Sequence, residues 1–129
     1  MKGRPPDSLA TQINKLAKTI HKDADRHGLW DDFREAMKQH EDKHNRERES
    51  LARYYATSVV AGEVSELRLA HGDRTHYGEE AADVVISMLS TCVELGIDIG
   101  AEIVSKMQVN HKRPHKHGKE TCYVRPETV

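Results

Sequence analysis

Four acidic residues with helical spacing are the part of this sequence best suited to do chemistry. They form two pairs, Glu63 with Glu66 and Glu80 with Asp83. Residues three apart lie about 60° apart around a helix axis, so each pair would place two carboxylates together. Because unpaired buried carboxylates are costly, four that converge would need cations between them. Oxygen ligands of this kind favour Mg²⁺, with Mn²⁺ as an alternative, over zinc.

The first pair lies on the apolar side of its predicted helix. At about 100° per residue, Glu63 falls in the middle of an apolar stripe and Glu66 at its edge. The stripe consists of Ala52, Ala56, Val59, Val60, Leu67 and Ala70. An acid that only forms surface salt bridges would lie on the opposite side, so we expect Glu63 to point inwards.

The second pair belongs to a narrow polar seam on the next helix. Polar residues gather with Glu80 in an arc of about 100°, namely Asp83, Ser87, Ser90, Thr91 and Glu94. Apolar residues fill the rest of the circumference, namely Ala81, Ala82, Val84, Val85, Ile86, Met88, Leu89, Cys92, Val93 and Leu95. This pattern predicts a helix that is buried over most of its surface.

Length and composition limit the classes of protein to consider. A chain of 129 residues is one domain, and a net charge of −1 argues against a dedicated nucleic-acid or membrane module. The sequence has no apolar run of membrane-spanning length and no signal-peptide core near Met1. Two cysteines do not make a disulfide framework, so a reduced, cytoplasmic setting is expected.

Helix start and stop signals predict an all-α fold without strands. The predicted helices are one capped by Ser8 and ended by Gly28, a short one capped by Asp31 and running through Met37, two long ones at about 51–71 and 79–95, and one capped by Asp98 and ended by Pro114. The short helix is not counted in the four-helix, all-α domain that this pattern predicts. Two helices as apolar as the long ones have few partners within one chain. We therefore expect a homo-oligomer, a dimer first and a tetramer as the alternative.

We divide the chain into three parts. Residues 1–8 are a flexible lead-in, residues 9–119 the helical domain, and residues 120–129 a C-terminal tail. Within the domain, residues 38–50 are highly charged and lack apolar periodicity. They are either a solvated helix extension or a mobile insertion.

The order of these motifs resembles the all-α nucleoside triphosphate pyrophosphohydrolases, the MazG-like group. The two acid pairs are similar to the ExxE…ExxD signature of that family. Lys106, Asn110 and Arg113 match its later lysine, asparagine and arginine, and the segment HGLWDD at 27–32 is similar to phage-type members. The resemblance covers about residues 9–119. It implies a four-helix MazG-like bundle completed by oligomerisation.

The resemblance also implies a reaction and roles for individual residues. The family cleaves a nucleoside triphosphate between the α and β phosphorus, releasing the monophosphate and pyrophosphate, which serves nucleotide-pool sanitation. The four acids would be Mg²⁺ ligands, and Glu63 and Glu66 catalytic, with Glu66 favoured as the acceptor of a proton from the attacking water. Substrate contacts would be Lys106, Asn110, Arg113 and Lys116 to the phosphates, and Trp30 stacked on the base.

Each assignment has a simpler alternative. The acids could form a structural salt-bridge cluster with Arg53, Arg68 or Lys106. Lys106, Asn110 and Arg113 could be the solvated face of the last helix, and Trp30 could be a core anchor, which is the commoner role of a lone tryptophan.

Parts of the sequence suggest other functions. Residues 40–44 match HExxH, the zinc metalloprotease signature, but they have charged flanks and no apolar neighbours. A second class of function is a non-catalytic helical module that binds nucleotide and metal without turnover. A third is nucleic-acid binding through the basic residues of 106–119, which the near-neutral net charge disfavours.

Overall fold

The computed structural model describes residues 6–113, and these form five α-helices. In chain order they are α1 (Leu9–Arg26), α2 (Asp31–Lys38), α3 (Asn45–Leu69), α4 (Arg74–Glu94) and α5 (Ile99–Lys112). No strand occurs within 6–113, so the all-α class is confirmed. The four-helix bundle and its completion by oligomerisation stay predictions. Pro114, Lys116 and the tail at 120–129 lie outside the described residues, as do residues 1–5 of the lead-in.

Capping side chains fix the starts of α1 and α5 at the positions that the sequence predicts. The Ser8 hydroxyl accepts a hydrogen bond from the Thr11 amide at 3.2 Å, and the Asp98 carboxylate accepts one from the Ala101 amide at 3.0 Å. Gly28, with φ +82°, follows α1, because glycine adopts the left-handed conformation without strain. Asp31, predicted as a cap, is instead the first residue of α2.

The long helices begin earlier than predicted. α3 starts at Asn45, where the ring of His44 accepts a hydrogen bond from the Arg46 amide at 3.3 Å. Residues 45–50 are therefore a helix extension, whereas residues 39–44 form the connection from α2. α4 starts at Arg74 because the Asp73 carboxylate caps it. The apolar pattern missed both starts because the first turns of these helices are polar.

α4 lies at the centre of the packing. It packs against α3 on one side and α1 on another, while α5 packs mainly against α1 and α2 against α3. The fully buried side chains are few, and Trp30 is the largest of them. The predicted apolar stripe of α3 faces inwards, with Ala56 and Ala70 buried and Glu63 half-buried.

The outer surface of α4 differs from the prediction. The seam residues Ser87, Ser90 and Thr91 are buried. By contrast, Val85, Ile86 and Met88 are 56%, 42% and 41% exposed. The expectation that this helix is buried over most of its surface is thus wrong for the single chain.

Small hydroxyl side chains allow this arrangement. Neighbouring helices can approach them closely, and their hydroxyls find partners on or near α4. The Ser87 hydroxyl donates to the Val84 carbonyl at 3.0 Å, and the Thr91 hydroxyl donates to the Ser87 carbonyl at 2.7 Å. Ser87, Ser90 and Thr91 therefore pack inside at little cost, and Val85, Ile86 and Met88 are left outside.

Within residues 6–113, no single helix is long and apolar enough to cross a membrane. Taken together, α4 and α5 have the length and apolar composition of a membrane span, but the two helices are bent by 115° where they meet.

Candidate metal centre

The hairpin of α3 and α4 brings three of the four predicted acids together. The turn at residues 70–73 joins the two helices, which pack along each other. Glu63 and Glu66 come from α3 and Glu80 from α4, and each offers a carboxylate oxygen within 4.8 Å of the other two. Such a group of oxygens is suited to a divalent cation.

Asp83 lies at the rim of this group. It is exposed and does not belong to the set of oxygens within 4.8 Å. Its negative charge nevertheless acts on Glu63 and helps to raise the pKa of that residue. The predicted set of four is thus a close group of three with a fourth carboxylate nearby.

Glu63 is the electrostatic centre of the group. Burial raises the pKa of its carboxyl, and the negative charges of Glu66, Asp83 and Glu80 raise it further. Both causes disfavour the negatively charged form of Glu63. A cation among the carboxylates would reverse the effect, because it stabilises the ionised form.

Glu80 gives independent evidence that the group fits a cation. One oxygen, Oε1, lies 3.2 Å from Nε2 of His76. The other oxygen, Oε2, is buried and has no hydrogen-bond partner among the described residues. A buried acceptor of this kind is costly unless something binds it. A hard cation such as Mg²⁺ or Mn²⁺ is the ligand that an all-oxygen group would take.

The salt-bridge alternative does not match the structure. Arg53, Arg68 and Lys106 are all exposed, and none of them forms an ion pair with the acid group in the described part of the chain. The only side chain seen to pair with it there is His76, through Glu80. The carboxylates are therefore not neutralised by the arginines and lysine that the sequence offered for this purpose.

The predicted phosphate contacts at 106, 110 and 113 belong to α5 or its end, not to the helices that carry the acids. Lys106, Asn110 and Arg113 are exposed on or just after α5, which packs mainly against α1. Within 6–113 no hydrogen bond or ion pair links the side chains of Lys106 or Asn110 to the acids. Lys106 and Asn110 are thus not joined to the carboxylates by such contacts, and Lys116 lies outside the described residues.

Trp30 is a core residue. Its side chain has 0% exposure, its indole N–H donates to the Ser90 hydroxyl at 2.8 Å, and the Phe33 ring meets it edge-on at 5.3 Å. A ring without exposed surface cannot stack on a nucleobase. The assignment of Trp30 as a substrate contact is therefore wrong, and the core-anchor interpretation holds.

The HExxH segment has local structural roles. His44 caps α3, and the His40 ring stacks on Tyr55 with centroids 5.9 Å apart. Within residues 6–113, neither histidine belongs to a group of side chains that could hold a metal.

His76 is the residue at this site that sequence analysis missed. Its spacing of four residues before Glu80 places both side chains on one helix face, and that spacing was a usable signal.

Comparison of the chain with protein-family models, with curated proteins and with solved structures found no match. The MazG-like resemblance therefore remains a prediction from the motifs.

Proposed function

We propose that this chain is a Mg²⁺-dependent nucleoside triphosphate pyrophosphohydrolase, which cleaves the bond between the α and β phosphorus. The observation that carries the proposal is the group formed by Glu63, Glu66 and Glu80, in which the buried Oε2 of Glu80 has no hydrogen-bond partner within residues 6–113. The order of the motifs, which resembles the MazG-like family, supplies the class of reaction.

The acid group cannot bind a triphosphate by itself, since both are negatively charged. When bound, the divalent cation supplies the positive charge that bridges carboxylates and phosphate oxygens and activates water. Glu63, Glu66 and Glu80 would hold it, with Asp83 at the rim as a further ligand. Mn²⁺ is a suitable substitute because it prefers similar oxygen ligands.

Glu66 is the carboxylate that we assign to take a proton from the attacking water. It is exposed, whereas Glu63 and Glu80 are half-buried, so solvent reaches it most readily. A general base must lie within hydrogen-bond reach of the water that it activates. Glu63 would then serve mainly to hold the cation.

Lys106, Asn110 and Arg113 are proposed contacts to the phosphates. They would hold the triphosphate from the side away from the carboxylates. Lys106→Ala is expected to raise KM more than it lowers kcat, because a phosphate contact of this kind binds substrate and transition state alike. Lys112→Ala, an exposed lysine on the same helix, is the matched control.

The test is incubation of the protein with a panel of ribo- and deoxyribonucleoside triphosphates and Mg²⁺, with identification of the products. We expect the monophosphate and pyrophosphate from at least one substrate. Release of orthophosphate would contradict the proposed bond cleavage. Nucleotide binding measured by calorimetry without any product would favour the non-catalytic module instead.

Variants of the acid group show whether a measured activity belongs to this protein or to a contaminating enzyme. Glu63→Gln and Asp83→Asn should abolish turnover and leave the helical circular dichroism spectrum unchanged, since each keeps the side-chain shape and removes one charge. Glu102→Gln, the same change at an exposed position of α5, should retain full activity. Full activity of Glu63→Gln would remove the acid group from the mechanism.

We further propose that a second copy of the chain covers the exposed surface of α4. Val85, Ile86 and Met88 are large apolar side chains of α4 that the single chain leaves 56%, 42% and 41% exposed. Exposed apolar side chains concentrated on one helix are typical of an association site. A symmetric dimer is the simplest assembly, and a tetramer is the alternative.

A further inference from the structure

His76 and Glu80 form a pair one helical turn apart at the start of α4. Nε2 of His76 lies 3.2 Å from Oε1 of Glu80, so the hydrogen of this bond lies on Nε2. The side chain of His76 is 54% exposed, whereas that of Glu80 is 17% exposed. The histidine thus contacts the solvent side of a carboxylate whose other oxygen is buried.

The start of α4 fixes where His76 lies. Oδ1 of Asp73 accepts hydrogen bonds from the amides of Thr75 at 3.0 Å and His76 at 3.4 Å. The backbone of His76 is therefore held by the cap itself. A side chain with an anchored backbone loses less freedom when it binds a neighbour, so it can orient that neighbour effectively.

The two oxygens of Glu80 have different environments. Oε1 has the imidazole as its partner, while Oε2 is buried and has none in the part of the chain that the structure describes. A carboxylate that ligates a cation through one oxygen is commonly held by a hydrogen bond to the other. The bond from His76 restricts rotation of the carboxylate, and Oε2 is left for the cation.

We propose that His76 is a positioning residue for Glu80, which it holds in the orientation needed to bind the divalent cation of the acid group. This inference rests on the proposed metal centre. The competing interpretation is that His76 and Glu80 are a surface pair that only stabilises the helix.

The experiment measures Mn²⁺ binding to the full chain without nucleotide, by electron paramagnetic resonance of the free ion. We compare the wild type with His76→Ala, His76→Gln and the control His71→Ala. His71 is exposed in the turn between α3 and α4, and its side chain makes no hydrogen bond within residues 6–113.

We expect His76→Ala to weaken Mn²⁺ binding by about tenfold, the lower end of the range for residues that orient metal ligands. His76→Gln should bind within about threefold of the wild type, because its amide N–H can donate to the same oxygen. His71→Ala should bind like the wild type. Circular dichroism of each variant separates this effect from a loss of helix.

The outcomes are distinguishable. Equal Mn²⁺ affinity of His76→Ala and wild type overturns the positioning role and leaves the metal centre intact. Equal weakening by Ala and Gln also overturns it, since hydrogen bonding would then not be the cause. If the wild type binds no Mn²⁺, or if Glu63→Gln does not reduce its binding, the metal centre itself fails and the inference fails with it.

Discussion

The backbone of Gly100 lies so close to the carbonyl oxygen of Ala10 that a Cβ at Gly100 would overlap it. Gly100 is buried in the first turn of α5, and Ala10 is in the first turn of α1. The contact is reinforced by Asn14, whose Oδ1 accepts a hydrogen bond from the Gly100 amide at 2.8 Å. The absence of a side chain at residue 100 therefore determines how closely α5 packs on α1.

Gly100→Ala should destabilise the fold by about 1–3 kcal/mol, the usual cost of overpacking. The change forces two backbone segments apart, and neither is the end of a flexible side chain. Urea unfolding followed by circular dichroism measures the effect. Gly78→Ala is the matched control, because a Cβ there meets nothing within 4 Å. It should gain about 0.5–1 kcal/mol from helix propensity. Equal stability of Gly100→Ala and wild type would disprove the close contact.

The junction between α1 and α5 should also be sensitive to acid through Asp98. The Ala101 amide and the side-chain amide of Asn14 donate to its carboxylate, and these bonds lower the pKa of Asp98. A lowered pKa adds stability that is complete above the unfolded value of about 3.9 and is lost as the pH falls through the folded pKa. Asp98→Asn should therefore be less stable than wild type near neutral pH, with the difference shrinking in acid.

This prediction is checked by urea unfolding of both proteins from neutral pH down to about pH 3. The control is Asp42→Asn, an exposed acid whose side chain makes no hydrogen bond within the described residues. Its difference from wild type should not depend on pH. A constant difference for Asp98→Asn as well would show that the charge of Asp98 is not what the two donors stabilise.

The pairing of Arg34 with Glu94 should contribute to stability. The guanidinium donates to both carboxylate oxygens, from Nε at 3.0 Å and from Nη2 at 2.6 Å, and it also pairs with Asp25. The side chain of Glu94 is 12% exposed, so the loss of the arginine would leave a mostly buried charge whose remaining partner within residues 6–113 is His21. Arg34→Met should cost about 1–3 kcal/mol in free energy of unfolding, less than for a fully buried pair because Arg34 is 41% exposed.

An exposed ion pair on α1 serves as the control for Arg34. Arg26 and Asp23 lie 2.7 Å apart with side chains 74% and 62% exposed. Arg26→Met should change the stability by no more than about 0.5 kcal/mol. If Arg34→Met and Arg26→Met lose the same free energy of unfolding, the hydrogen bonds to both oxygens of Glu94 stabilise the fold no more than an exposed ion pair does.

The proposed dimer makes a prediction for Val85. This side chain is 56% exposed on α4 in the single chain. Val85→Arg would place a charge in the proposed contact and should convert the dimer to a monomer in light scattering coupled to size exclusion. Val109→Arg, at a valine 47% exposed on α5, should leave the dimer intact. A wild-type mass of 14.6 kDa at every concentration would contradict the assembly.

Features that depend on neighbouring residues in sequence were predictable. Ser8 and Asp98 cap their helices because a short polar side chain reaches the free amides of the first turn. Glu63 is half-buried because the helical period places it among small apolar residues. The helical spacing also predicts that each acid pair shares one helix face. The two pairs approach each other because the connection between α3 and α4 is short.

Features that depend on which surfaces meet were not predictable. The periodicity of α4 separates its polar seam from its apolar side, but it does not say which residues of each side other helices cover. Ser90 and Leu89 are both buried, whereas Asp83 and Val85 are both exposed. Ser90 is buried because Trp30 donates to its hydroxyl and the His21 ring lies 3.0 Å from it, and both partners are at least 60 residues away. No local pattern contains such long-range contacts. Trp30 was left open for the same reason.

The most direct measurement of the central claim is anomalous diffraction from a crystal soaked in Mn²⁺. We predict a peak bounded by carboxylate oxygens of Glu63, Glu66 and Glu80, at about 2.1 Å from the nearest of them, the usual length for hard cations of this size. The peak should be lost in Glu63→Gln. Separated carboxylates that face solvent without a peak in the wild type would contradict the account.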